Sequence, residues 1–409
     1  MRSLLAVVVP FLVVAAGRSE DWPQFRGPTG DGVYAGKLPT TWSETDNVVW
    51  KTAIHDKGWS SPIVVGKKVW LTTAKDDGKE LFVVALDRDT GKVVHDVKVF
   101  EPKEPPSIKQ FNSHASPTPV AADGNIYAHF GSYGTACLNA DTAEVLWKAD
   151  DLKCNHFRGP ASSPVAFDGK LFLQFDGFDF QYVVALDGKT GKPIWRKDRN
   201  LPYPNDGDFK KAFATAAVLT IDGRPQLVSP AAMGTISYDL ATGDEIWRVV
   251  HGGMNEAAKP ILAGGLIYLT SGHSQSVWAV KPGLGDLTTS GLAWKYSKEA
   301  PTKSSLLTHR EWLFMVNDKG IVSCLNAKSG KLLKQERLPA PFAASPILAD
   351  GKLYFVSEGA TCKTFVLKAD DGLELLATNT LPDGAYASPA AADGRLYLRT
   401  KTHLYCIGK

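Results

Sequence analysis

SSPVAFDGKLFLQFDGFDFQYVVALDGKTGKPIWRKD, residues 162–198, holds four short apolar runs separated by turn signals. The first run, SSPVAF, is built of small residues and ends at Asp168-Gly169, a strong hairpin signal between apolar segments. KLFLQF follows, then a loop, then YVVALD, a Thr-Gly-Lys turn and PIWRKD. Nothing in the stretch has a helical period.

The stretch is one copy of a repeat. Its opening recurs as SSPIVVGKKVW (60–70), SHASPTPVAADGNIY (113–127), ASPILADGKLY (344–354) and ASPAAADGRLY (387–397). Aligning the third residue of each start gives Pro62, Pro117, Pro164, Ala216, Pro260, Ser305, Pro346 and Pro389, with gaps of 55, 47, 52, 44, 45, 41 and 43 residues. A period of that length signals a repeat architecture. Four antiparallel strands per repeat make a β-propeller blade, so the chain is expected to be all-β with eight blades. The last copy ends without a fourth strand. NVVWKTAI (47–54) matches VLWKAD and PIWRKD, and is expected to complete that blade and close the ring.

The copied residues read as architecture rather than as site. First strands converge on the axis and take Ser, Ala and Pro. Fourth strands lie outermost, where blades diverge, and Trp50, Trp147, Trp195, Trp247 and Trp294 fill the gap. His95, Lys334 and Leu376 take that slot in the remaining aligned copies.

Composition bounds the rest. Of 409 residues 44% are hydrophobic and 22% charged, an ordinary globular mixture. Forty-six basic residues against 43 acidic leave +3, which gives no electrostatic case for nucleic acid as a partner. MRSLLAVVVPFLVVAAGRSE (1–20) has a positive start, an apolar run and small residues after it, the pattern of a secretory signal. Residues 1–17 are expected to be removed and residues 18–409 to form the propeller, periplasmic or secreted, with no membrane span after removal of the signal. Five widely spaced cysteines do not make a disulfide framework. Cys137, Cys324 and Cys406 fall in small apolar slots, whereas Cys154 and Cys362 lie outside them.

ALDGKTGKPIW (185–195), with degenerate copies ALDRDTGKVVH (85–95), CLNADTAEVLW (137–147), SYDLATGDEIW (237–247) and CLNAKSGKLLK (324–334), is similar to the tryptophan-docking motif of the quinoprotein (PQQ) propeller superfamily. That superfamily includes quinoprotein alcohol dehydrogenases and the propeller lipoprotein of the outer-membrane barrel-assembly machinery. DWPQFRGPTGDGVY (21–34) and KGWSSPIV (57–64) resemble the opening of a secreted PQQ-like group of planctomycete-type bacteria, over essentially the whole mature chain. The resemblance implies the fold. It leaves the function open, because one fold hosts many.

The dehydrogenases of the superfamily carry an adjacent Cys-Cys pair over the cofactor, a Ca²⁺ held by acidic and amide side chains, and an Asp base. This chain has no Cys-Cys pair. It also has no His-Glu-x-x-His, Cys-x-x-Cys or Gly-x-Ser-x-Gly motif, and GKTGK (188–192) is a strand-to-strand turn rather than a phosphate loop.

Loops at one end of a propeller gather around the axial funnel, and loops carry function on a rigid scaffold. The residues three before each aligned start are Trp59, His114, Ala161, Phe213, Ala257, Thr302, Ala343 and Tyr386. The candidate site is Trp59, His114, Arg158, Lys211 and Tyr386. The first expectation is a non-catalytic, monomeric module that binds an envelope protein or a small polar ligand at this face. The alternative is a PQQ-dependent oxidoreductase. In it Trp59 or Tyr386 stacks on the quinone, Arg158 or Lys211 pairs its carboxylates, and Asp176 or Glu256 serves as base or Ca²⁺ ligand. A third reading, cleavage of extracellular polysaccharide, rests on the aromatic funnel alone.

Overall fold

The computed structural model describes residues 21–409; the signal expected at 1–17 lies outside them. Eight antiparallel sheets follow one another around an axis, spanning 63–100, 120–149, 165–198, 217–250, 261–296, 307–337, 347–381 and 390–407. These are blades 1 to 8. The eighth is completed from the other end of the chain: Val48–Ala53 pairs antiparallel with His403–Ile407, Trp50 opposite Cys406. Closure leaves no gap between first and last blade, as expected from the orphan strand.

Small residues oppose the outer tryptophans in register. Trp147 lies opposite Cys137, Trp195 opposite Ala185 and Trp247 opposite Ser237. Four indoles reach the next blade, whereas Trp247 Nε1 donates to Gln226 Oε1 within its own. Trp50 Nε1 donates to Arg88 O, Trp147 to Gly188 O, Trp195 to Leu240 O and Trp294 to Ala327 O, at 2.9 to 3.2 Å. The glycine of the Thr-Gly-Lys turn passes over that ring. A Cβ on Gly191 would stand 2.6 Å from Trp147, and its φ of +71° is one that side chains rarely adopt. The turn itself is held by its first residue. Asp187 Oδ1 accepts from the Thr190 N–H and hydroxyl, both 2.8 Å, which lowers the Asp187 pKa.

Three positions in the aligned repeat shift. In blade 2 the start is Pro119, because Val120 pairs with Tyr127 as Val165 pairs with Phe172. SPTP offers two such starts two residues apart, and a two-residue slip keeps the same face of the strand inward, so the pattern alone does not separate them. In blade 6 the start is Leu306, one residue later than Ser305. In blade 7 the tryptophan slot holds Ala377, opposite Val366, rather than Leu376. The turn there is one residue longer, and Leu373 takes the left-handed conformation (φ 51°) that Gly191 takes in blade 3 and Ala143 in blade 2.

All five cysteines are free and buried. No helix among the described residues is long and apolar enough to cross a membrane.

Candidate functional site in the axial funnel

The residue just before each aligned start points into the bore, and in seven of eight blades it carries a hydroxyl. Each accepts a backbone N–H from the blade before it. Ser61 N donates to Thr118 Oγ1, Thr118 N to Ser163 Oγ and Ser163 N to Thr215 Oγ1, at 2.9 to 3.0 Å. The belt resumes from Lys259 N to Ser305 Oγ, then Ser345, Ser388 and back to Ser61. Accepting the N–H uses a lone pair and leaves each O–H free to donate. Ser345 spends its own on Ser305 Oγ. The hydroxyls of Ser61, Thr118, Ser163, Thr215 and Ser388 line the funnel.

One end of the bore is blocked. Residues 21–34 cross it from blade 1 to blade 7: Trp22 bridges to Val64, and Val33–Tyr34 pairs parallel with Leu348–Ala349. Arg26 fills the axis, 2% exposed, donating to Leu306 O (2.6 Å) and Pro346 O (3.2 Å). Burial lowers its pKa to about 10. Lys259 stands in blade 5 where the other blades have a hydroxyl, with Nζ 3.4 Å from Phe25 O. Burial, and after it the Arg26 charge, bring its pKa down to about 7.

Above the hydroxyl floor is a dead-end cavity of about 450 Å³. The next tier of its wall comes from the residues three before each start. Trp59 and Tyr386 pack together, ring centroids 4.7 Å apart, and Phe213 faces in from blade 4. At the mouth stand Phe111, Arg158, Asn255, His273, Lys303 and Glu358. The field there is positive. Burial comes first and the charge of Arg158 next in depressing the His273 pKa, with Lys211 and Lys303 adding to it and Asp318 opposing.

The expected site residues divide. Trp59, Arg158 and Tyr386 line the funnel. His114 does not: the register shift puts Ser116 in that place. His114 is 5% exposed, hydrogen-bonded to Tyr133 and packed beneath Gly78. Thr302 yields its aligned place to Lys303, although both reach the cavity. Lys211 is fully covered, paired with Asp208, its Nζ 4.3 Å from the centre of the Phe157 ring. It ties down a loop instead of reaching the lining. Asp176 is also displaced from the funnel, in a fully buried ion pair with Arg199 at 2.6 Å. Glu256 is 1% exposed and accepts from Thr270 and from Ala258 N (3.1 Å); burial raises its pKa to about 7.

The copied serines were read as architecture alone, yet they are also the floor of the funnel. Their place directly before each Pro was the available signal. Phe25 and Phe111 lie outside the repeat, and nothing periodic marks them.

Ca²⁺ takes six to eight oxygen ligands, several of them carboxylates. Glu358 is the carboxylate on the lining, 3.5 Å from Lys303 Nζ. Among the described residues no group of three or more His, Cys, Asp or Glu is gathered to hold a metal. The residues of this funnel therefore do not fit Ca²⁺.

Eight four-stranded blades, a chain-end closure and a funnel blocked at one end define an eight-bladed β-propeller with a dead-end axial site. The chain belongs to the PQQ-repeat family described as outer membrane protein assembly factor BamB, whose model matches residues 36–287 and 284–375. It is similar to outer membrane protein assembly factor BamB of Yersinia pestis, 21% identical over 256 residues, 60% of each chain. It is also similar to quinohemoprotein alcohol dehydrogenase ADH-IIG of Pseudomonas putida, 26% identical over 144 residues, 32% of this chain and 19% of that one. The chain thus spans three fifths of the one relative and about a fifth of the other. The crystal structure of BamB from Moraxella catarrhalis matches with a TM-score of 0.64 at 12% identity, covering 88% of this chain and 99% of that chain.

Proposed function

We propose that the protein is a non-catalytic binding module of the cell envelope that holds a partner protein at its funnel face. The observation that carries this reading is the funnel's chemistry: aromatic walls, O–H donors at the floor, and one lining carboxylate, already paired with Lys303. Such a surface recognises and offers little acid–base machinery. Its similarity to a family named for outer-membrane protein assembly supports a protein partner and an exported location.

A quinone-dependent oxidoreductase is the second reading, favoured by the Trp59–Tyr386 pair and by Arg158, whose buried Nε has no hydrogen-bond partner among the described residues. Titrating PQQ, with and without Ca²⁺, into the mature protein separates the two. The binding-module reading predicts no saturable tryptophan quenching and no dye-linked oxidation of alcohols or sugars. Saturable quenching that Trp59→Ala and Arg158→Ala both weaken, accompanied by turnover, would replace it with the second.

A further inference from the structure

Beside the funnel mouth, the loops of blades 2 to 4 carry phenylalanines on the surface. Phe111 is 56% exposed, Phe209 40% and Phe178 38%. Phe157 and Phe178 pack at 5.8 Å, and Gly207, in the same short turn as Phe209, lies against the Phe178 ring. Exposed aromatic residues that cluster, rather than scatter singly, mark an interaction surface.

Cations are set among the rings. Lys109 Nζ lies 4.6 Å from the Phe157 centroid, and the Arg158 guanidinium 6.0 Å from that of Phe111. Around Asp208 the positive field comes first from Lys211, its partner, and then from Arg158 and Lys109. Lys211 is spent on Asp208, whereas Lys109 and Arg158 make no ion pair among the described residues. Arg158 belongs to both surfaces: it lines the cavity, and its buried Nε has no hydrogen-bond partner among the described residues.

The patch is held in place. Asn112 Nδ2 donates to Arg158 O (2.9 Å) and Pro160 O (3.3 Å), and Trp59 Nε1 to Phe111 O (3.1 Å). Phe157 sits at φ 60°, an uncommon conformation for an aromatic residue, fixed by the Phe157 N–H bond to Asn155 Oδ1 (2.9 Å). Strain of this kind, kept by surrounding bonds, collects at ligand clamps.

Resting on the binding-module reading, we infer that the partner is an acidic peptide segment bearing aromatic side chains. Its rings pack on the Phe111–Phe178 patch, and a carboxylate enters the funnel to meet Arg158 and the hydroxyl floor. Charge complementarity points to an acid, because Arg158 makes no ion pair among the described residues and Lys109 flanks the rings. The dead-end cavity argues for a chain tip: a lipid surface has no narrow projection to fill about 450 Å³.

The probe is a random glutamate–tyrosine copolymer, its binding to the mature full chain followed by fluorescence anisotropy. Polyglutamate, a lysine–tyrosine copolymer and phosphatidylglycerol vesicles serve as comparisons. The inference predicts saturable binding of the glutamate–tyrosine copolymer, at least about tenfold weaker binding of polyglutamate, and no binding of the lysine copolymer. Phe111→Ser and Lys109→Glu each weaken it about tenfold with the melting temperature unchanged, since both side chains are exposed. Equal binding of polyglutamate, copolymer binding indifferent to both variants, vesicle binding without copolymer binding, or no copolymer binding at all would overturn it. If photocrosslinks to a protein still form from inside the funnel in cells, only the acidic–aromatic assignment falls; if they too are absent, the binding-module reading falls with it.

Discussion

The backbone N–H of Ser388 donates to Oγ of Ser61 at 3.0 Å, joining the last blade to the first across 327 positions of sequence. It closes the belt of hydroxyls at the funnel floor. Ser61→Ala leaves the Ser388 N–H buried without an acceptor, which costs about 1–3 kcal/mol. Chemical denaturation should show that loss, whereas Ser61→Thr, which keeps the hydroxyl, should retain most of the stability. Equal stability of all three proteins would mean that the belt is incidental to closure.

Between blades the coupling is aromatic. Trp195 is 9% exposed and caps the next blade through Leu240 O. Trp195→Ala is expected to cost about 3–5 kcal/mol. Gly191→Ala combines the left-handed conformation with overpacking against Trp147, for about 2–4 kcal/mol. Thermal unfolding of both variants checks the ranking.

The buried Asp176–Arg199 pair gives a sharper test of structural against functional roles. Asp176→Ala strands a guanidinium that also reaches Ser229 Oγ (2.8 Å) and is predicted to lose about 3–5 kcal/mol. Arg199→Met with Asp176→Leu should recover much of that loss, and neither change should alter ligand binding at the funnel.

Acid should weaken the fold before most carboxylates titrate. Burial lowers His129 to about 3, and His156 and His251 to about 4, from 6.5. From about pH 6.5 downward the unfolded chain binds protons at these three sites that the folded chain refuses, so stability falls with pH. Glu256 opposes this: its pKa is raised to about 7, so it contributes stability at low pH that is lost as pH rises. Three groups outweigh one, and a net loss of a few kcal/mol is expected between about pH 6.5 and 4.5. Glu256→Gln should steepen the loss, and a pH series of urea unfolding curves reads both.

Lys259 gives a slope of the same sign as the histidines, at higher pH. With its pKa depressed to about 7 from 10.5, it makes stability rise as pH climbs through that interval. Lys259→Met should remove the rise and be the more stable protein near pH 6, where the buried ammonium is charged. A variant less stable than its parent at that pH would show that the ammonium holds the segment that blocks the bore.

The architecture was legible because hairpin turns, small first strands and outer tryptophans repeat with the chain's own period. Strand NVVWKTAI was recognisable by its Trp, and blade count followed from the starts. The site was legible where its residues stay in step with that period, as Trp59 and Tyr386 do, and at Arg158 in an adjoining loop. His114 was misplaced because SPTP contains two equivalent starts. Asp176 ends a strand and Glu256 sits in a loop, and in neither place does the sequence reveal whether a carboxylate turns toward the axis or into the blade. Arg26 and Lys259, which block the bore, are distant in sequence, and only ring closure brings them together.

The most direct test of the account is photocrosslinking from the funnel in cells, with p-benzoylphenylalanine in place of Ala343 and, as control, in place of Val94 on an outer strand. Ala343 lines the cavity without charge or hydrogen-bonding function of its own, whereas Val94 is 44% exposed on blade 1. The account predicts a discrete protein adduct from position 343 and none from position 94. Adducts absent from 343, or equal from both, would contradict a protein-binding funnel.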